Sequence, residues 1–317
     1  MSIYVSIVIP VYNEAGNIGL LLTDLISVLE DTVGKPYEVI VVNDGSKDGS
    51  EQEIEAAGAA NPNIKLVSLS RNYGQTAAFM AGIDHASGEV IVTLDGDRQN
   101  DPADIPLLLE QIEQGYDVVS GWRQNRRDNM LLRTWPSRAA NWLISLISGV
   151  KLQDYGCSLK AYRQGTIEGV RLYGEMHRFI PIYTHWQGGR LIEIPVNHHP
   201  RKLGRSKYGL MRAPKVILDL LVVVFMHKFL TRPIYIFGGF GIISISFSFV
   251  FFFLMLYFKF WGGKTFIETP LPMLTVTCFL LGVVSFLMGL QAEMLMRTYH
   301  ESQAKPTYRV RNTLNLD

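Results

Sequence analysis

The chain has 317 residues, 30 Lys and Arg against 29 Asp and Glu, and a formal charge of +1. That length allows one large domain or two smaller ones, and the charge balance excludes a general nucleic-acid binder. Its two cysteines are Cys157 and Cys278, the second inside an apolar run, which excludes a disulfide scaffold and fits a reducing compartment. Acids concentrate in residues 1–120 and bases in 121–232, an arrangement suited to an anionic membrane surface or to phosphate ligands.

The N-terminus, Met1 to Val5, has no basic region ahead of an apolar one and reads as the approach to a strand, not a signal peptide. Val5 to Pro10 is a β-rich run with both faces apolar. Asn17 to Leu29 has helical spacing at Ile18, Leu21, Leu22, Leu25 and Leu29. Glu38 to Val42 is a second strand, Ser50 to Ala60 a helix, Ile64 to Leu69 a third strand and Gly74 to Ala86 a small-residue helix. Glu89 to Leu94 is a fourth strand, Asp104 to Gln114 a helix and Asp117 to Gly121 a fifth strand. Strands alternating with helices predict a parallel α/β sheet with right-handed crossovers. From Arg123 to Tyr208 the pattern is less regular, with a late strand at Leu191–Val196 and a basic loop from His198 to Tyr208.

Ligands of open α/β sheets sit beyond the carboxyl ends of the strands. Asn13, Glu14, Asp44, Asp95, Asp97 and Arg123 all fall there, on one rim. Asp95 and Asp97 are two residues apart, so extension through the turn would aim both at one ligand. Hard carboxylate oxygens at a strand end suit Mg²⁺ or Mn²⁺ held with a substrate diphosphate, whereas Asp-Gly is also ordinary turn chemistry. No G-x-G-x-x-G follows the first strand and no G-x-x-x-x-G-K-[ST] occurs, which weighs against dinucleotide oxidoreductases and P-loop enzymes. His177, His185, His198 and His199 have no zinc-ligand spacing with Cys157 and read as surface or interface histidines.

Ile234 to Phe258 is an uncharged run of 25 residues, and Met273 to Leu290 one of 18. The first would be about 37 Å long as a helix, enough to span a bilayer core with tilt. Basic residues flank the pair on its N-terminal side (Arg201, Lys202, Arg205, Lys207, Arg212, Lys215, Lys228, Arg232) and in the tail (Arg297, Lys305, Arg309, Arg311). The positive-inside rule then predicts a multi-pass protein of the inner (plasma) membrane with the α/β domain and both termini cytoplasmic. Leu210 to Phe229 mixes apolar and charged residues and suits an interfacial helix. The expected organisation is a domain over 1–208, an interfacial segment over 209–232, two transmembrane helices (234–258 and 272–294) within 233–296, and a cytoplasmic tail over 297–317.

These blocks, taken together, resemble glycosyltransferase family 2, with its GT-A nucleotide-sugar fold. The resemblance rests on Val5 to Glu14, Asn43-Asp44-Gly45-Ser46 and Asp95-Gly96-Asp97-Arg98-Gln99, in the family's order and spacing. Gly121-Trp122-Arg123, Arg133 to Ser137 and Asp154-Tyr155-Gly156-Cys157 look like its polyprenyl-phosphate branch, which includes dolichyl-phosphate mannose synthases; the type most resembled is the bactoprenol glucosyltransferases, with two C-terminal transmembrane helices. The resemblance covers the chain to about residue 295 and implies an inverting transfer of a sugar, glucose from UDP-glucose first, onto undecaprenyl or another polyprenyl phosphate at the cytoplasmic face. It implies that Pro10, Tyr12, Glu14 and Asp44 line the nucleotide pocket, that Asp95 meets ribose or metal, that Asp97 ligates Mg²⁺ or Mn²⁺, and that Gln99 lies near the sugar. It further implies that Arg123, Arg133 and Ser137 hold the acceptor phosphate and that Arg201, Arg205 and Lys207 form a basic loop closing over phosphates.

Asp154 falls where related inverting enzymes place a general base. A phosphate monoester has a second pKa of about 6, so the acceptor is already a nucleophilic dianion at neutral pH. Asp154 is therefore expected to orient an arginine or the sugar. Other donors (GDP-mannose, UDP-N-acetylglucosamine, UDP-galactose, a modified arabinose) share the same metal and ribose contacts. A processive polysaccharide synthase would carry Gln-x-x-Arg-Trp, which is missing, and the intact Asp44, Asp95 and Asp97 set argues against a non-catalytic scaffold. Gly238, Gly239 and Gly241 could allow close helix contact in a homo-oligomer, a tetramer being one form.

Overall fold

Val5–Val11 is β-branched on both faces, and it forms β1 in the middle of an eight-stranded sheet. The computed structural model describes residues 2–124, 141, 144–146, 148–167, 176–186, 188–200, 234–302 and 310–315. Two compact units divide the chain, 1–221 with 306–317 and 222–305.

In the first unit, β1 is followed by α1 (Ile18–Val28), β2 (Tyr37–Asn43), α2 (Ser50–Ala60), β3 (Ile64–Leu69), α3 (Gln75–Asp84), β4 (Val90–Thr93), α4 (Ile105–Glu113) and β5 (Val118–Trp122). Then come β6 (Lys160–Arg163), the short helices α5 (Gln164–Ile167) and α6 (Ile180–Trp186), and β7 (Leu191–Pro195). The sheet order is β7-β5-β6-β4-β1-β2-β3-β8, where β8 is Val310–Leu314. The β4-β1-β2-β3 core is parallel, as the alternation of elements predicts. The sheet as a whole is mixed, because β6 runs antiparallel to both β4 and β5, and β8 runs antiparallel to β3. Both exceptions are short strands with charged residues, which give weak periodicity.

Alternation along the strands sends Ile7, Ile9, Val39 and Val41 to a core with α1 and α4, and Ile40, Val42, Val67 and Leu69 to the α3 side. Helix α3 lies close on the sheet through Gly82, where a Cβ would fall 2.2 Å from Val8 Cγ1. The tail expected over 297–317 contains ordered elements. Its helix runs on to Ser302, and residues 310–314 return to cover the edge of β3, with Asn315 Nδ2 donating to the carbonyls of Gly58 (3.1 Å) and Ile64 (2.9 Å). An edge covered in this way cannot template another chain.

The second unit contains α7 (Ile234–Phe260) and α8 (Leu271–Ser302), both running past the predicted ends of 258 and 294. Tyr235–Phe260 and Leu271–Ala292 are long and apolar enough to cross a membrane. Phe240, Ile242, Phe247, Phe253, Leu280 and Leu287 are exposed along them, a surface suited to lipid and not to water. The helices meet at Gly241 and Gly282, where a Cβ on either would lie within 3 Å of the other's carbonyl oxygen, and Ser248 Oγ donates to the Thr275 carbonyl at 2.8 Å. Gly241 is therefore occupied inside the hairpin, while Gly239 has open space around its Cβ position. The interfacial segment expected at 209–232 lies outside the described residues.

Candidate functional site

The carboxyl ends of β1, β2 and β4 form the predicted rim. Pro10 is still in β1, paired with Val42, and Tyr12, Asn13 and Glu14 follow it. Asn13 adopts φ +52 and clamps this loop to the one after β2: its N–H donates to Ser46 Oγ (3.0 Å), and its Oδ1 accepts from the Lys47 N–H (2.8 Å). The Glu14 N–H donates to Ser50 Oγ at 2.9 Å, and the Glu14 carboxylate accepts from Asn17 Nδ2. Asn43-Asp44-Gly45-Ser46 turns back sharply, with the Asn43 Oδ1 accepting from the Ser46 N–H and Gly45 at φ +70. A Cβ on Gly45 would fall 2.6 Å from the Arg71 backbone, so the position tolerates only glycine.

Asp44 is buried, and both its oxygens accept backbone N–H bonds, from Tyr73 (2.7 Å) and Gly74 (2.9 Å). Burial raises its pKa against those two bonds. The sequence reading assigned it to the nucleotide base; the structure adds that it holds the entry to α3. There the Gln75 Nε2 donates to Asp95 Oδ1 at 2.7 Å. Strand β4 ends at Thr93, so Asp95 and Asp97 stand on a turn, not on an extended strand, and Arg98 takes φ +59. The Arg98 side chain points away to Asp24, whereas Asp97 is buried and its Oδ1 accepts from the Gln99 N–H at 3.1 Å. Burial and then the Asp97 charge push the Asp95 carboxyl up from its ordinary value. A divalent cation would relieve that repulsion. Among the described residues no group of three or more His, Cys, Asp and Glu could hold a metal alone. The two carboxylates still fit Mg²⁺ or Mn²⁺, which keep positions for water and diphosphate oxygens.

Beyond β5, Asp154 grips Arg123 in two bonds, Nε to Oδ2 at 2.7 Å and Nη2 to Oδ1 at 2.9 Å. Burial works against the Arg123 cation, but the Asp154 hydrogen bonds and charge raise its pKa further. The Asp154 loop is pinned from β7: Glu193 accepts from the backbone N–H of Gln153 and of Asp154 (2.9 Å). Buried Lys160 donates to the Tyr155 carbonyl at 3.2 Å, and burial pulls its pKa down to about 8. Arg178 faces Gly156, whose Cβ position is 3.1 Å from Arg123 Nη2 and 3.4 Å from Arg178 Nη1. Cys157 is buried, its thiol pushed up to about 11 by that burial, so it is inert.

The structure thus brings Asp44, Asp95, Asp97, Gln99, Arg123 and Asp154 to one end of the sheet. Gln99 is half-buried, and its carbonyl accepts from the His199 N–H. Arg133, Ser137, Arg201, Arg205 and Lys207 lie outside the described residues. Sequence reasoning missed Gln75, Lys160, Arg178 and Glu193, because none stands in a motif.

A profile described as Glycosyl transferase family 2 matches residues 6–173. The chain is 42% identical to the dodecaprenyl-phosphate galacturonate synthase of Rhizobium johnstonii over 98% of its own length and 93% of that protein's. It is 38% identical to the undecaprenyl-phosphate 4-deoxy-4-formamido-L-arabinose transferase of Edwardsiella ictaluri, over 98% of this chain and 94% of the other. In fold it is similar to the glucosyl-3-phosphoglycerate synthase of Mycobacterium tuberculosis, solved with Mn²⁺, UDP and phosphoglyceric acid (TM-score 0.55, 20% identity, 70% of this chain and 78% of that one).

Proposed function

Because the chain belongs to glycosyl transferase family 2 and has its GT-A fold, we propose that this glycosyltransferase moves a sugar from a UDP donor onto a polyprenyl phosphate with inversion. The observation that carries the reading is that Asp95 and Asp97 stand at the same strand-end rim as the Arg123–Asp154 pair, whose guanidinium opposes the burial-driven rise of the Asp95 pKa. For the donor, full-length similarity to a galacturonate synthase favours a uronic acid first, and similarity to the formamido-arabinose transferase supports a modified arabinose second. Glucose, which the sequence reading put first, has no such support; the modified arabinose was among that reading's alternatives, and a uronic acid was not.

In the proposed step an acceptor phosphate oxygen attacks the anomeric carbon as the bond to the UDP oxygen breaks, and the bonding electrons leave on UDP. Asp95 and Asp97 would hold the divalent ion, which supplies charge neutralisation for the leaving diphosphate. Asp44, Asn13 and Ser46 hold the loops around the nucleotide in shape. Asp154 has both oxygens engaged by Arg123 and removes no proton, since the acceptor dianion has none to give. Its role is to fix the guanidinium that meets the acceptor phosphate, a contribution of positioning and preorganised charge. Arg133, Ser137, Arg201, Arg205 and Lys207 remain assigned to acceptor and phosphate contacts by resemblance.

The reading places the protein in the inner membrane with α7 and α8 crossing as a hairpin. Support comes from their length and composition, and from the tail pairing with β3, which keeps the chain beyond the hairpin on the side of the α/β domain. A homo-oligomer is kept as part of the proposal, and crosslinking in native-like membranes tests it. The deciding experiment is a donor panel with undecaprenyl phosphate and Mn²⁺ or Mg²⁺, scored by mass of the lipid product. A lipid-linked uronic acid is the expected product; UDP release that ignores the metal and yields no lipid product would overturn the reading.

A further inference from the structure

Arg123 and Arg178 arrive at the same backbone position from different parts of the chain. Arg123 follows β5, and Arg178 lies on the 3₁₀ turn Met176–Phe179 ahead of α6. Between them stands Gly156, and its missing side chain leaves both guanidinium forks over bare backbone. An alanine there would bring a methyl group to 3.1 Å and 3.4 Å of the two forks. Two guanidinium groups this close repel each other, and one carboxylate, Asp154, already saturates the Nε and Nη2 of Arg123. Lys160, also on this side, adds a third positive charge, with Glu193 opposite it pinned to two backbone amides.

The arrangement is held firmly. His177, next to Arg178, bonds Thr76 Oγ1 through Nδ1 at 2.6 Å and lies against the Phe79 ring, so the turn that carries Arg178 is fixed to α3. The same helix end positions Asp95 through Gln75. Arg178 is therefore registered to the carboxylates of the diphosphate side and faces the arginine of the acceptor side. In a transfer between those two sides, the migrating sugar occupies the gap between them. A planar guanidinium there matches a planar carboxylate in two parallel bonds.

We propose that Arg178 is a donor-specificity residue that binds the carboxylate of a uronosyl donor over Gly156; this rests on the uronic-acid reading above. The shared chemistry is an anionic oxygen pair, and the acceptor phosphate offers one too, so the test separates the two sources. Binding of UDP-galacturonate, UDP-galactose and UDP is measured by calorimetry with Mn²⁺ on the detergent-purified full chain and on Arg178→Gln and Arg178→Lys. The KM for undecaprenyl phosphate is measured alongside. The full chain is expected to bind UDP-galacturonate about 10²-fold more tightly than UDP-galactose. Arg178→Gln should erase that difference while its affinity for UDP, which reports an intact nucleotide pocket, changes by less than about threefold. Arg178→Lys should restore only part of it, because the ammonium keeps the charge without the fork. Equal weakening of both sugar donors, or a raised KM for undecaprenyl phosphate alone, would assign Arg178 to the acceptor and overturn the proposal. If the full chain transfers galacturonate and Arg178→Gln keeps the preference, the proposal fails and the donor reading stands. If the full chain neither prefers nor transfers galacturonate, the donor reading fails and takes the proposal with it.

Discussion

Replacing Asp154 with Asn separates a positioning carboxylate from a catalytic base. The two Asp154–Arg123 bonds, at 2.7 and 2.9 Å, join side chains that are 4% and 16% exposed. At such a separation and an effective dielectric of 20, the gross attraction is about 6 kcal/mol. Desolvation cancels much of it, and the cost of leaving Arg123 buried without its partner is about 3–5 kcal/mol. Thermal unfolding of the Asp154→Asn protein in detergent should therefore fall by roughly 10 °C, at about 2–4 °C per kcal/mol for a domain of this size. Transfer, followed by lipid-product mass at pH 6 to 9, should drop by about 10²-fold or more, because the misplaced guanidinium loses its aim on the phosphate. The loss should be flat across pH. An activity that recovers as pH rises would mean that a proton removed by Asp154 limits the reaction, and the positioning argument would be wrong. A double-mutant cycle with Arg123→Gln gives an independent check, because the two single losses should be strongly non-additive.

Asp97→Asn should remove Mn²⁺-dependent tightening of UDP binding by about 10²-fold in calorimetry, and EDTA should abolish product formation by the parent protein; activity indifferent to chelation would remove the metal from the site. Buried Glu38 accepts from Ser6 and Ser87 and faces Lys65 Nζ at 2.6 Å. Burial raises its pKa, yet these partners together hold it below the ordinary carboxylate value. A depressed folded-state pKa contributes stability above the unfolded value of about 4.3 and loses it as pH falls through the folded one. Glu38→Gln should thus cost about 2–3 kcal/mol in melts at pH 7 and progressively less below pH 4, and an equal cost at both would refute the linkage. In the hairpin, Gly282→Leu should lower the thermal stability of the detergent-solubilised protein, since a Cβ already falls 2.5 Å from Ile245 Cγ1, whereas Gly239→Ala should be neutral in the same melt.

What could be read from sequence follows the range of the interactions. The donor side is built from contiguous blocks, Val5 to Glu14, Asn43 to Ser46 and Asp95 to Gln99, whose turns are closed by their own side chains, so sequence carries both the residues and their geometry. The central parallel strands were legible for the same reason, as runs of apolar residues alternating with helices. Strand β6, only four residues long, was not, and neither was β8, which becomes a strand only because the exposed edge of β3 offers it a ladder. Asp44 shows the limit inside a motif: its position is readable, but its grip on Tyr73 and Gly74 depends on a loop 29 residues away.

The acceptor side is only partly legible in this way, because its charges reach the site by topology. Arg123 comes from β5, Asp154 from the loop ahead of β6, Glu193 from β7 and Arg178 from the turn ahead of α6. Arg123 and Asp154 stand in blocks that sequence singles out, whereas Arg178 and Glu193 look like ordinary surface charges, and the antiparallel insertion of β6 between β4 and β5 brings the four to one place. That division bears on how the site evolves a new donor. The proposed metal and nucleotide contacts lie in blocks whose turns are closed by their own side chains. The proposed sugar contact lies on a separate element that can vary alone, while the Asp154–Arg123 pair would keep the acceptor guanidinium aimed. If Arg178 reads the donor as proposed, a change of sugar would call for a change at Arg178 or Gly156 and not for a new fold; two relatives that match this chain over its full length are named for different sugars.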